Sequence, residues 1–206
     1  MKLKSLVVGP VGTNCYIMSN DAKECIVVDP GEEAGRIAAY IKSEDLSVCG
    51  ILLTHGHFDH ITAVNELRDM FGCAVYAGSD EEKMLNDAAL NSCGFGMGAP
   101  VVVKDVNYLS DEEVVELAGF SIRTLFTPGH TPGGVCFYIE KEGILFSGDT
   151  LFCMSVGRTD FPGGSSSTLI RSIKEKLLPL PDDTKVYTGH GEATDIGFEK
   201  QNNYFL

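Results

Sequence analysis

Short apolar runs rich in β-branched residues, each bounded by Gly, Pro, Asn or Asp, recur along the chain and predict strands. They cover Leu3–Val8, Cys15–Met18, Cys25–Val28, Gly50–Leu53, Ala74–Tyr76, Ile122–Phe126, Val135–Ile139, Ile144–Phe146 and Lys185–Tyr187. Three stretches between them change to the helical period. Glu33–Ser43 puts Ala34, Ile37, Ala38 and Ile41 on one face. Ile61–Phe71 does the same with Ile61, Val64, Leu67 and Phe71, and Thr168–Leu178 with Leu169, Ile170, Ile173 and Leu177 after a serine-rich start.

The pattern also repeats. On either side of residue 108, a strand ending in Asp (Val27-Val28-Asp29; Phe146-Ser147-Gly148-Asp149) is followed by an apolar strand ending in His-Gly. The second members are Ile51-Leu52-Leu53-Thr54-His55-Gly56 and Val186-Tyr187-Thr188-Gly189-His190-Gly191. Two similar half-sheets packed face to face, with helices outside, predict an α/β fold, a four-layer αββα sandwich whose strand ends share one rim. The segment Asn86–Pro100, rich in Gly, Ala and Met, reads as a loop or broken helix joining the halves and overhanging that rim.

Composition narrows this picture. With 206 residues and 44% hydrophobic content, residues 1–206 are expected to form a single domain around one substantial core. Lys and Arg number 16 against 29 Asp and Glu, a formal charge of -13 with the cations scattered. That balance weighs against nucleic acid and anionic membrane surfaces as partners and leaves a small-molecule substrate. Acidic runs at Asp80-Glu81-Glu82 and Asp111-Glu112-Glu113 read as solvated helix starts and turns.

The 7 cysteines are widely spaced with no CxxC, which argues for reduced, mostly buried thiols and against a disulfide framework or thiolate zinc site. Gly9-Pro10 interrupts the first apolar run too early for a secretory signal, and no stretch reaches membrane-spanning length, so a soluble cytoplasmic protein is expected.

The candidate chemistry lies in the histidines, of which there are 5. His55-Gly56-His57-Phe58-Asp59-His60 follows a strand directly. On an extended turn the imidazoles of His55 and His57 can point to one side, while Asp59 and His60 begin the next helix and face a second point nearby. His130 sits in the rigid loop Thr127-Pro128-Gly129-His130-Thr131-Pro132-Gly133-Gly134, Asp149 follows Gly148 at a strand end, and His190 lies between two glycines. Buried unpaired, so many polar groups would be costly, whereas a pair of divalent cations uses their lone pairs directly. Asp29, before Pro30-Gly31, reads either as an acceptor for a ligand imidazole N–H or as a turn residue. Arg158 and Asp160 could touch substrate, but in their glycine-rich loop they read better as a clasp holding that loop over the site. Cys153, four residues after Asp149, reads as a buried inert thiol, and Tyr138 and Tyr187 as core.

The order HxHxDH, then His, Asp and His, resembles the metallo-β-lactamase superfamily over the whole chain. The resemblance implies that His55, His57 and His130 hold one metal ion, that Asp59, His60 and His190 hold a second, and that Asp149 bridges them. Asp149-Thr150-Leu151-Phe152, Gly157-Arg158-Thr159-Asp160-Phe161-Pro162-Gly163-Gly164 and the ending Thr188-Gly189-His190-Gly191 with Ile196-Gly197-Phe198-Glu199-Lys200 resemble the small glyoxalase II-like (hydroxyacylglutathione hydrolase-like) enzymes. β-Lactamases of the superfamily do not usually carry the bridging aspartate, so Asp149 weighs against that activity.

The implied function is a dinuclear metallohydrolase that cleaves a small acyl thioester such as S-lactoylglutathione by attack of a hydroxide held between the two ions. The N/O donor set suits zinc, with iron or manganese as alternatives. A thioester fits because its thiolate leaves without full protonation; Asp59 is the one candidate proton relay. Larger glyoxalase II enzymes hold glutathione partly with a C-terminal helical domain, whereas here the chain ends at Leu206, shortly after His190. Other acyl carriers therefore stay open. The alternatives are a mononuclear-iron persulfide dioxygenase using the counterparts of His55, His130 and Asp149, and a lactonase or other small-ester hydrolase.

Overall fold

The computed structural model describes residues 1–91 and 100–206. Of the Asn86–Pro100 expectation, residues 92–99 lie outside the described residues. The first sheet comprises β1 (Lys2–Val8), β2 (Thr13–Ser19), β3 (Glu24–Val28), β4 (Ser47–Leu53), β5 (Ala74–Gly78) and β6 (Val106–Leu109) in spatial order. β1, β2 and β3 form an antiparallel meander, and β3 to β6 run parallel. Along this sheet lie α1 (Ala34–Ser43), α2 (Phe58–Ile61), α3 (Val64–Phe71), α4 (Glu82–Leu85) and α5 (Ala88–Asn91).

The second half contributes β7 (Val114–Leu117), β8 (Phe120–Phe126), β9 (Val135–Ile139), β10 (Ile144–Gly148), a small hairpin of β11 (Leu151–Phe152) and β12 (Ser155–Val156), α6 (Ser166–Ser172), β13 (Lys185–Thr188), β14 (Thr194–Asp195) and α7 (Ile196–Asn202). The sheet order is β14-β13-β10-β9-β8-β7. β10 and β13 are parallel; the other neighbours are antiparallel.

Strand alternation explains the layering. In β2 every residue is buried, because its two faces serve two different cores. Tyr16 and Met18 join Ile26, Val28 and Leu52 against Ile122, Val135, Phe137, Ile139, Ile144 and Phe146 of the other sheet, forming the central layer. Cys15 and Ile17 turn the other way, with Val27, Ile51, Leu53 and Val75, onto Ile37, Ala38 and Ile41 of α1 and Val64 and Leu67 of α3. The second sheet repeats the scheme: Cys136, Tyr138, Leu145 and Val186 pack outward against Leu169 and Ile173 from the α6 region and Ile196 of α7. This is a mixed α/β architecture of two facing sheets flanked by helices.

The sequence echo has a topological basis. The Asp29 strand runs parallel to its His55 strand, and the Asp149 strand parallel to its His190 strand, so all four carboxyl-terminal ends reach the same rim. Elsewhere the structure departs from the periodicity in specific ways. The helix expected over Ile61–Phe71 begins at Phe58 and breaks after Ile61, because Ala63 N–H donates to Pro30 O (3.0 Å) instead of continuing the helical ladder. The helix expected over Thr168–Leu178 starts at Ser166, with Ser165 as its N-cap, and widens into a π-helical turn over Ile173–Leu177.

Candidate metal centre

Each chemical group of the rim stands where a strand ends. β4 stops at Leu53, and an extended turn carries His55, Gly56 and His57 into α2, whose first turn holds Asp59 and His60. Asp149 follows β10. Gly148 there has φ +48°, and a side chain on it would strike Thr54 Oγ1 at 2.2 Å, so only glycine lets these two strand ends meet. The loop after β8 presents His130, and Val135 N–H donates to Thr54 O (2.8 Å), tying this loop to the end of β4. His190 follows β13. Its loop is fastened by the first sheet: Asn14 N–H donates to Gly189 O (2.7 Å), Asn14 Nδ2 to Thr188 O and Gly191 O (both 3.0 Å), and Tyr16 Oη to Thr188 O (2.7 Å).

The seven side chains converge. Donor atoms of His55, His57 and His130 lie within 4.8 Å of one another, as do those of Asp59, His60 and His190, and a third such group joins His55, His60 and Asp149. His57 Nδ1 is 2.9 Å from His130 Nε2, and His60 Nε2 is 3.3 Å from His190 Nε2. Asp149 lies between the two clusters, with Oδ1 3.4 Å from His60 Nε2 and Oδ2 3.6 Å from His130 Nε2 and 3.5 Å from His190 Nε2.

The chemistry of this donor set fits divalent cations. His55 Nε2 and Asp149 Oδ1 are buried and have no hydrogen-bond partner among the described residues, a costly state that a cation would relieve. Burial, reinforced by neighbouring imidazoles, pushes His55 well below the ordinary histidine range and His57 down to about 3, so both rings are neutral, the form in which an imidazole ligates a cation. Around His60 the balance reverses: burial works against its charge, but Asp149, Asp59 and Asp29 together carry it up to about 10. The second cluster is therefore a concentration of negative potential.

The rear faces of the rings are also held, which fixes their orientation. Asp29 is buried and does both things the sequence allowed. It sits at φ +49° as a turn residue, and its Oδ2 lies 3.1 Å from His60 Nδ1 while also accepting from Thr54 Oγ1 (2.7 Å); Oδ1 accepts from Thr54 N–H (2.8 Å). His130 Nδ1 lies 2.7 Å from Arg158 O, and Thr13 Oγ1 donates to Asp59 Oδ2 (3.0 Å). Arg158 and Asp160 form a bidentate pair (2.8 and 2.7 Å), and the guanidinium lies 3.8 Å from the Phe161 ring centroid. Phe161 in turn meets the His57 ring edge-on at 5.7 Å. Cys153 is only half-buried, unlike the expected inert core thiol, because it lies in the β11–β12 hairpin turn.

One reading of the sequence is corrected outright. Within Asp80-Glu81-Glu82, Asp80 and Glu82 are solvated, but Glu81 is fully buried and contacts the histidine loops. A lone glutamate in an acidic run gives no signal of this in sequence. Thr13 and Asn14 were missed for a similar reason: they lie in a strand far from every motif.

A cavity of about 440 Å³ opens beside the cluster, lined by Asp59, His130, Asp149, Arg158 and His190 and by the apolar side chains of Val11, Phe152 and Val156. No helix among the described residues is long and apolar enough to cross a membrane.

The chain is similar to known proteins along its whole length. The metallo-beta-lactamase superfamily model matches residues 8–190. A probable metallo-hydrolase, YqgX of Bacillus subtilis, is 42% identical, with 100% of this chain and 98% of the relative covered. The hydroxyacylglutathione hydrolase GloC of Haemophilus influenzae is 38% identical over 100% and 98%. Among solved structures, the BLEG-1 B3 metallo-beta-lactamase superposes with a TM-score of 0.95 at 43% identity, covering 100% of this chain and 99% of that one. TTHA1623 in a di-iron-bound form gives 0.89 at 35%, over 98% and 100%. With its sheets, its rim of histidines and aspartates, and this near-complete coverage, the chain belongs to the metallo-beta-lactamase superfamily.

Proposed function

We propose that the protein is a dinuclear metallohydrolase of small acyl thioesters, with S-lactoylglutathione as the leading substrate. The observation that carries this reading is the paired donor clusters with Asp149 between them. His55, His57 and His130 would hold one ion, Asp59, His60 and His190 the other, and Asp149 both. Ions bound there supply a water acidified to a pKa of roughly 7 and a Lewis acid for a carbonyl oxygen.

The chain's own residues set what that chemistry acts on. Val11, Phe152 and Val156 offer an apolar wall to an acyl group next to Asp149 and His190. Asp59, which lines the cavity beside Asp149, would be the residue to relay a proton. A thioester makes little demand on that relay, because a thiolate leaves without full protonation. The full-length likeness to a hydroxyacylglutathione hydrolase supports the same choice.

The likeness to a B3 metallo-beta-lactamase favours a second reading, hydrolysis of a β-lactam, despite the weight Asp149 puts against it. Steady-state hydrolysis of S-lactoylglutathione, a lactone and a β-lactam by zinc-, iron- and manganese-loaded protein separates these readings. The proposal expects the thioester to have the highest kcat/KM. A higher value for the β-lactam overturns it, as does oxygen uptake with glutathione persulfide at one iron per chain.

A further inference from the structure

Glu81 ends a 3-10 turn over Ser79–Glu81 that leads into α4, and its side chain is wholly buried and makes no ion pair with a basic side chain among the described residues. Such a group is expensive unless every lone pair has a purpose. Its Oε1 accepts from Gly56 N–H (2.8 Å), and its Oε2 from Gly133 N–H (2.9 Å) and Thr131 Oγ1 (3.1 Å). Gly56 separates His55 from His57, and Thr131 follows His130. One carboxylate therefore spans the two loops that carry the first cluster of imidazoles. The approach is close: a side chain at Gly133 would meet Glu81 N at 2.2 Å. Among the described residues its hydrogen bonds all go to the loops of the first cluster.

We propose that Glu81 is a positioning residue for the first metal ion, setting the separation of His55 and His57 from His130. This rests on the reading of those imidazoles as ligands. Both carboxylate oxygens face backbone N–H groups, which cannot reverse their polarity, so glutamine is not a substitute: whichever way its amide turns, its NH2 meets a donor. Burial, offset by these three hydrogen bonds, pushes the carboxyl up to about 7. A nearby cation would favour its ionised form.

The test is zinc affinity of the full-length protein, measured by competition with a chromophoric chelator on wild type and Glu81→Gln, with metal counted by elemental analysis. Outer partners of ligand groups typically contribute about 10–100-fold to affinity. The expected result is a loss of that size for one ion and no change for the other. Thr131→Val, which removes one of the three hydrogen bonds, should give a smaller loss of the same kind and serves if Glu81→Gln does not fold. Combining Glu81→Gln with His190→Ala should leave neither ion tightly held. Equal affinities in wild type and variants, or equal weakening of both ions, would overturn the inference while leaving the dinuclear reading intact. A wild type that binds no zinc would overturn both.

Discussion

Asp29 links the turn after β3, the end of β4 and the second donor cluster through three contacts on one carboxylate. Replacing it by alanine leaves His60 Nδ1 and the buried Thr54 N–H without their acceptor. The expected outcome for Asp29→Ala is a folded protein with roughly 10–100-fold weaker affinity for one metal ion, read by chelator competition. An unchanged affinity would reduce Asp29 to a turn residue. The thiols allow a second prediction at this scale. Burial pushes Cys25 up to about 12 and Cys136 up to about 11, and Cys15 higher still, so none of them offers thiolate at neutral pH. Brief alkylation of the native protein followed by peptide mapping should therefore modify Cys49 and Cys153, both half-buried, well ahead of these three. Comparable labelling of Cys136 would mean that the layer beneath α6 opens far more readily than its packing implies.

Among the elements, those that bury two faces matter most to stability. Phe137, fully buried in β9, fills the space between the sheets, and Phe137→Ala should cost about 3–5 kcal/mol in chemical denaturation. Val114 in β7 is 51% exposed at the edge of the second sheet, and its replacement by alanine should change stability by less than about 0.5 kcal/mol. The same contrast governs what could be read from the sequence. Doubly buried strands such as β2 and β9 are near-continuous apolar runs and were legible. The edge strands β6 and β7 and the short β11, β12 and β14 were not, because half-exposed or two-residue pairings leave no periodic signal. α7 carries little signal in sequence, since only its N-cap, Asp195, and a few buried positions mark it. Of the candidate site, the groups that share a loop or end a strand could be found by their spacing. Glu81, Thr13 and Asn14 could not: their roles depend on backbone donors, side-chain partners and loops brought near by the sheet packing, and a chain order carries no trace of that.

At the scale of the molecule, the two facing sheets convert a weak internal repeat into a single site. Parallel pairs β3–β4 and β10–β13 bring Asp29, His55, Asp149 and His190 to one rim, and bonds from Asn14 and Tyr16 in the first sheet to the His190 loop close the halves over it. Three apolar layers support that rim. In the proposed function the fold supplies rigidity, and substrate choice would fall to the cavity lined by Val11, Phe152, Val156 and Arg158. The most direct test of the account is elemental analysis of protein purified without added metal, on wild type and Asp149→Ala, with S-lactoylglutathione hydrolysis measured on the same samples. The account predicts close to two divalent ions per chain and turnover in the wild type, with both lost in the variant. Asp149→Ala that keeps two ions and full activity would contradict it.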